Sequence, residues 1–201
     1  MSALPLSGIR QPSGFRLILI AWLVVLFALS PAYGQRKPPT PDELQGLNLS
    51  IESDPNLASN YVDRGWAYAQ LGNESSARKD YAKALALKPG SPRALWSFGW
   101  ALFDLGHPAE ALTIWKECSA KEKTIFLSDE DLNWTTYTFA LAYWSLGQKK
   151  LAFDSYTQAA EKIPNHFRSR KALLKYTDFW TAHDRAIISE LFDAWATRAE
   201  K

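Results

Sequence analysis

The sequence predicts an all-α protein, a short array of antiparallel helix pairs preceded by an export signal. Three observations lead to this fold class. A pattern of small and large apolar residues recurs three times, a glycine interrupts each copy at the same place, and a proline closes two of the three copies. Of the 201 residues, 47% are hydrophobic, which is enough to bury the core of one domain.

The first segment, residues 1–34, has the composition of a secretory signal peptide. Two arginines precede an uncharged apolar run over residues 17–29, and small residues follow at Ala32 and Gly34. The run of 13 residues is short for a bilayer-spanning helix, which needs about 20. We therefore expect cleavage after Gly34 and an exported protein, periplasmic or secreted. Retention of residues 17–29 as a membrane anchor is the alternative.

A Pro-rich linker is expected over residues 35–41, followed by a helical domain over residues 42–201. Thr40 is placed to cap a helix that starts at Pro41, and acidic residues follow in the first turn, where they favour the positive end of the helix dipole. Segment 42–55 is interpreted as the second half of a preceding helix pair.

Three copies of one pattern occupy residues 58–91, 92–125 and 133–165, with an insertion over residues 126–132 before the third. Each copy has small and large residues at the same eight positions, and the second departs at the last of them, where Lys123 replaces proline. In the first copy these positions are Gly65, Ala67, Tyr68, Gly72, Ala77, Tyr81, Ala84 and Pro89.

The recurring residue types indicate two helices joined by a tight turn. Gly72, Gly106 and Gly147 lie where the first helix of each copy must stop and reverse, which favours a left-handed backbone conformation. Small residues allow the two helices to approach closely, and aromatic residues fill the space beside them. One such pair cannot bury its apolar face alone, so the copies are expected to stack.

This pattern resembles the tetratricopeptide repeat family over about residues 56–165. The resemblance implies a short right-handed superhelix with a concave side. Residues 166–201 are then a degenerate last pair, with one helix over residues 167–180, a turn at His183 and Asp184, and a second helix over residues 185–199. End units of such arrays are atypical because one of their faces meets water.

The resemblance also implies which residues face the concave side, because in this family the first helix of each pair lines it. The expected groove is aromatic in its middle and basic towards its C-terminal end. The predicted contact residues are Trp66, Arg93, Trp96, Trp100, Phe103, Trp134, Tyr137, Leu141, Trp144, Arg168, Lys171 and Lys175. Two interpretations remain open: an aromatic groove that binds a partner, or aromatic residues buried in the core or covered by the chain's own terminal helices.

The function expected from this groove is that of a non-catalytic interaction module that binds a peptide or protein segment of unknown identity. Tryptophan and tyrosine are favoured at binding hot spots. A membrane-anchored envelope assembly factor is one alternative, and contact with a membrane is expected only if the N-terminal segment is retained. A carbohydrate-binding protein is the other, because aromatic faces also stack on sugar rings. Only Arg93 and Asp104 supply polar contacts for a sugar, so it ranks below peptide binding.

Neither nucleic-acid binding nor catalysis is expected. Residues 35–201 carry 21 Lys or Arg and 21 Asp or Glu, so no basic excess indicates a nucleic-acid partner. His107, His166 and His183 show no metal-ligand spacing, and no cofactor or metal is expected. Cys118 occupies a position that the sister copies fill with alanine, which predicts a small buried residue.

Overall fold

The structure, a computed structural model, describes residues 38–122 and 134–198, except for the side chains of Glu122, Trp134 and Thr135. The expected signal peptide and the insertion over residues 126–132 lie outside these ranges. The described residues form helices and no strands. The helices are α1 (Pro41–Ser53), α2 (Ala58–Gln70), α3 (Glu74–Leu87), α4 (Pro92–Asp104), α5 (Pro108–Glu122), α6 (Trp134–Ser145), α7 (Lys149–Lys162), α8 (Pro164–Phe167), α9 (Arg170–Tyr176) and α10 (Ala182–Arg198).

Helix α1 begins at the cap that the sequence predicts. The Thr40 hydroxyl oxygen accepts a hydrogen bond from the Glu43 backbone N–H at 3.2 Å, and the Glu43 carboxylate accepts one from the Thr40 N–H at 2.7 Å. This reciprocal capping box satisfies two backbone donors at the helix start. None of the α1 side chains is buried within the described part of the chain, although α1 packs on α2.

Three helix pairs follow, α2–α3, α4–α5 and α6–α7, and glycine ends the first helix of each. Gly72, Gly106 and Gly147 have φ angles of 71°, 85° and 70°, in the left-handed region that a residue with a Cβ atom rarely adopts. The repeated alanine and aromatic positions of the second helices are buried. Within α3, Ala77, Tyr81 and Ala84 are at most 1% exposed.

The pairs do not all stack in the same way. Helix α4 packs on both helices of the preceding pair, α2 and α3, whereas α6 packs on the second helix of the preceding pair, α5. Helices α4 and α6 approach each other through Trp100 and Tyr137, whose ring centroids lie 6.5 Å apart. Two clusters of buried residues result, one around Tyr81 in the first pair and a larger one that runs from Trp100 to Phe192.

The C-terminal pair differs from the sequence-based expectation of one helix over residues 167–180. Ser169 has an extended backbone (φ −135°, ψ 149°), which separates α8 from α9, and its hydroxyl accepts a hydrogen bond from the Ala172 N–H at 3.2 Å. The turn also lies earlier than expected. Thr181 accepts a hydrogen bond from the Asp184 N–H at 3.1 Å, so α10 already includes His183 and Asp184.

Candidate functional site

The structure divides the predicted contact residues into three groups by burial. Trp100, Phe103, Tyr137 and Leu141 are buried, with at most 4% of each exposed. Trp66, Trp96 and Trp144 are half-buried. The four basic residues are exposed, namely Arg93, Arg168, Lys171 and Lys175. The side chain of Trp134 lies outside the described residues.

The buried group is covered by the C-terminal part of the chain. The Trp180 ring lies 5.5 Å from Trp100 and 5.6 Å from Tyr137, measured between ring centroids. Phe167 also stacks on Tyr137, with ring centroids 5.2 Å apart. Edge-to-face and offset aromatic pairs at these distances stabilise by about 0.5–1.5 kcal/mol each beyond their buried area.

The expectation of an open aromatic groove is therefore wrong for Trp100, Phe103, Tyr137 and Leu141. These side chains belong to the core, which corresponds to the second of the two interpretations left open by the sequence. The reason is physical: the turn after α9 places Trp180 over Trp100, so burying the aromatic cluster needs no second molecule. A partner reaches only the half-buried and exposed residues of the set.

The half-buried Trp66 and Trp96 lie on α2 and α4, which are joined by two polar links. The Arg93 guanidinium donates to the Asp63 carboxylate at 2.7 Å. The Gln70 amide donates to the Asp104 carboxylate at 3.1 Å. Burial raises the pKa of Asp63, and Arg93 opposes that rise. This part of the chain combines aromatic surface with fixed polar groups.

A cleft of about 500 Å³ lies where the turn of the second pair, the turn of the third pair and the start of α10 meet. Its lining combines aromatic, aliphatic and charged side chains, among them Phe103, Trp144, Lys149, His183, Ile187 and Glu190. The Lys149 ammonium lies 5.8 Å from the centroid of the Trp144 ring, within the range of a cation–π contact. The volume falls in the range of about 300–1,000 Å³ that is typical of ligand sites.

A second polar cluster, which the sequence interpretation did not identify, joins the turns of the first two pairs. His107 contacts Glu74 at 3.0 Å, and Arg78 donates to both Glu74 and Glu110 at 2.7 and 2.9 Å. The hydrogen bond from Arg78 holds the pKa of each glutamate below its usual range, and His107 adds to the effect. His107, in the turn of the second pair, thus contacts Glu74 in the second helix of the first pair. His107 and Glu74 are 33 residues apart, which is about one repeat length. This spacing was the feature of the sequence from which the contact between the two repeats could have been predicted.

The described residues contain no group of three or more His, Cys, Asp or Glu side chains placed to hold a metal ion. Cys118 is buried, as the repeat pattern predicted, and its thiol donates to the Pro92 carbonyl oxygen at 3.3 Å. Over the same residues, no helix has the length and apolar character needed to cross a membrane.

The model of a tetratricopeptide repeat family matches residues 44–190, most of the chain. The chain is a tetratricopeptide-repeat protein. The match extends on both sides of the three copies recognised in the sequence, and so includes most of α1 and part of α10. Members of this family typically act as non-catalytic scaffolds for protein interactions, and nothing in the described part of this tetratricopeptide-repeat protein indicates catalysis.

Solved structures of MamA are similar to this tetratricopeptide-repeat protein. One crystal structure of MamA has a TM-score of 0.52 and 18% identity, covering 79% of this chain and 87% of that one. The MamA RS-1 ArsTM double mutant has a TM-score of 0.52 and 19% identity, covering 91% and 97%. At this identity the likeness shows the fold. No curated protein matches the sequence at a significant level.

Burial of the aromatic cluster has a direct spectroscopic consequence. Among the seven tryptophans whose side chains are described, Trp100, Trp115 and Trp180 are buried and the other four are half-buried. In a variant with Trp22→Phe and Trp134→Phe, we expect acrylamide to quench the native fluorescence several-fold less than the fluorescence of the guanidinium-unfolded chain. Equal quenching in the two states would show that the tryptophan cluster is open to water.

Proposed function

We propose that this tetratricopeptide-repeat protein is an exported, non-catalytic adaptor that binds a peptide or protein segment beside Trp66 and Trp96. One observation carries the proposal. By their spacing, Trp66 shares a face of α2 with Asp63 and Gln70, and Trp96 shares a face of α4 with Arg93. Asp63, Gln70 and Arg93 take part in the links Arg93–Asp63 and Gln70–Asp104, so half-buried rings and hydrogen-bonding groups share these helix faces. Such a combination is typical of interface hot spots.

Trp144 and the cleft beside it extend the proposed surface. The Trp144 ring is half-buried, and Lys149, His183 and Glu190 surround it with charged and polar groups. A partner side chain of aromatic or aliphatic type would bury apolar area against Trp144 and Ile187, which are both half-buried. The glycan-binding alternative is weakened by the burial of Trp100, which removes the central ring on which a sugar would stack.

Photo-crosslinking in the producing cells tests the proposal. A photoreactive amino acid at position 66 or 93 is expected to give discrete adducts of higher mass. The same amino acid at the exposed position 82 on α3 serves as the matched control and is expected to give none. Adducts of equal yield from all three positions would reject a specific surface at α2 and α4.

The exported location is part of the same proposal, and it rests on the apolar run over residues 17–29. Cleavage after Gly34 predicts that the intact mass of the exported chain corresponds to a start at Gln35. A mass that includes residues 1–34, with recovery in the membrane fraction, would instead support the membrane-anchored assembly factor.

A further inference from the structure

Two segments of the helical array, one at its N-terminal end and one before its last helix, carry opposite charge. Within the described residues, the segment 38–63 contains five Asp or Glu and no Lys or Arg. The segment 162–177 contains five Lys or Arg and no Asp or Glu. The first segment includes α1, and the second includes α8 and α9, whereas α10, the last helix, carries both acidic and basic residues.

Helix α1 presents an exposed stripe that its own array does not cover. Its partly buried residues, which include Leu47 and Ile51, lie on one side of the helix. The other side carries Asp42, Leu49 and Glu52, spaced by seven and three residues and therefore on one face. Leu49 is 55% exposed. We call Asp42, Leu49 and Glu52 the acidic stripe. Terminal units of soluble arrays normally present a polar outer face, and an exposed leucine between carboxylates departs from that rule.

Helix α9 carries a complementary stripe. Lys171 and Lys175 are four residues apart and both exposed, and the half-buried Leu174 lies between them. Like charges at this spacing destabilise a helix by a few tenths of a kcal/mol, and Lys171 also lies in the first turn, where the helix dipole disfavours a cation. We call Lys171, Leu174 and Lys175 the basic stripe.

Within the described residues, Lys171 and Lys175 make no ion pair or cation–π contact, a property that they share with Lys79, Lys88 and Lys162. Six of the seven described arginines contact a carboxylate or a ring, and Arg168, next to the basic stripe, is the exception. Arg170 pairs with Asp193, which leaves Lys171 and Lys175 as the uncompensated charges of α9. An anionic surface from outside this array would offset the repulsion between the Lys171 and Lys175 ammonium groups.

We propose that the acidic stripe of one copy docks on the basic stripe of a second copy, so that the chains associate head to tail. Carboxylates of Asp42 and Glu52 then face the ammonium groups of Lys171 and Lys175, and Leu49 packs against Leu174. The stripes belong to opposite ends of the array, with three helix pairs between them. Because the two surfaces differ, the contact is heterologous and propagates into a ring or a filament.

Charge reversal in the full-length chain, kept in mild detergent, tests this arrangement by sedimentation velocity over a concentration series. Reversal of one end (Asp42→Lys with Glu52→Lys, or Lys171→Glu with Lys175→Glu) is expected to weaken association by at least about tenfold, because like charges then face each other. The chain with all four changes is expected to regain association. The matched control, Lys79→Glu with Lys88→Glu, changes two exposed lysines elsewhere and is expected to associate like the unaltered chain.

Mixing the two end-reversed variants gives the sharpest result. One variant has two basic ends and the other two acidic ends, so each alone is expected to stay largely monomeric while the mixture associates. Association of the unaltered chain is also expected to weaken with rising salt. The proposal would be overturned if the unaltered chain stayed monomeric at all concentrations. It would also be overturned if the charge reversals left association unchanged, because detergent or residues 17–29 would then be the cause of association. Photo-crosslinking from positions 66 and 93 is independent of these results.

Discussion

Replacing Gly99 with alanine is expected to destabilise the protein by about 3 kcal/mol. A Cβ atom at Gly99 would lie 2.2 Å from Nε1 of Trp115, a distance that real Cβ contacts do not show. The indole cannot move aside easily, because Trp115 is fully buried and its N–H donates to the Trp96 carbonyl oxygen at 3.2 Å. Thermal unfolding followed by circular dichroism should show a fall in Tm of roughly 6–12 °C.

Alanine substitutions at two other glycines provide comparisons for the stability loss expected at Gly99. At Gly65, the equivalent position of the first pair, an added Cβ would lie 3.2 Å from the Tyr81 ring, so a smaller loss is expected. At Gly46 in α1 nothing lies within 4 Å, so alanine is expected to stabilise the helix by about 0.5–1 kcal/mol. If Gly99→Ala were as well tolerated as Gly46→Ala, the close approach of α4 and α5 would be refuted.

A compensating change is available from the third pair, which combines Ala140 with Tyr156, both fully buried. The double variant Gly99→Ala with Trp115→Tyr reproduces that combination. We expect it to lose less stability than the sum of the two single variants, with a coupling energy of about 1 kcal/mol or more, because each change relieves the misfit that the other creates. Additive losses would show that the two residues do not share one packing site.

Truncation of Trp100 to alanine is expected to cost about 3–5 kcal/mol. The ring is 2% exposed and contacts aromatic rings of five other described residues, among them Trp115 and Trp180 at 5.3 and 5.5 Å. Urea unfolding gives the loss in stability, and near-ultraviolet circular dichroism should show a weakened aromatic signal while α-helical content remains.

Trp144→Ala is the comparison for Trp100→Ala. Trp144 is half-buried and makes one described ring contact, with Phe153 at 5.8 Å, so a loss of about 1–2 kcal/mol is expected. Equal losses from the two substitutions would contradict the assignment of Trp100 to the core. A double-mutant cycle of Trp100→Ala and Trp180→Ala measures the coupling of the rings directly, expected at about 0.5–1.5 kcal/mol.

Spacing along the sequence was sufficient to predict the helix pairs, because their determinants are local. Glycine at the turn and alanine opposite an aromatic ring act over a few residues, and the structure buries Ala77, Tyr81 and Ala84 as that pattern requires. The capping box of α1 is equally local, since Thr40 and Glu43 are three residues apart.

The location of the candidate site was less predictable, because it depends on contacts between distant segments. Trp180 lies outside the recurring positions, so no repeat spacing indicates that it covers Trp100. The division of the helix expected over residues 167–180 depends on Ser169. The Ser169 hydroxyl accepts a hydrogen bond from the Ala172 backbone N–H and so caps the start of α9. A serine followed by two basic residues gave too weak a signal to place that boundary.

The contact between Trp180 and Trp100 also affects how the array unfolds. In a linear array whose units touch only their immediate neighbours, each end frays by itself and disturbances fade within one unit. Trp180 packs on Tyr137 in the third pair and also reaches Trp100 on α4 in the second, so opening of the C-terminal segment removes a packing partner from the middle of the molecule. The larger aromatic cluster therefore links segments that an unmodified array would leave independent, and amides of α4 are expected to gain protection from hydrogen exchange through residues about eighty positions away.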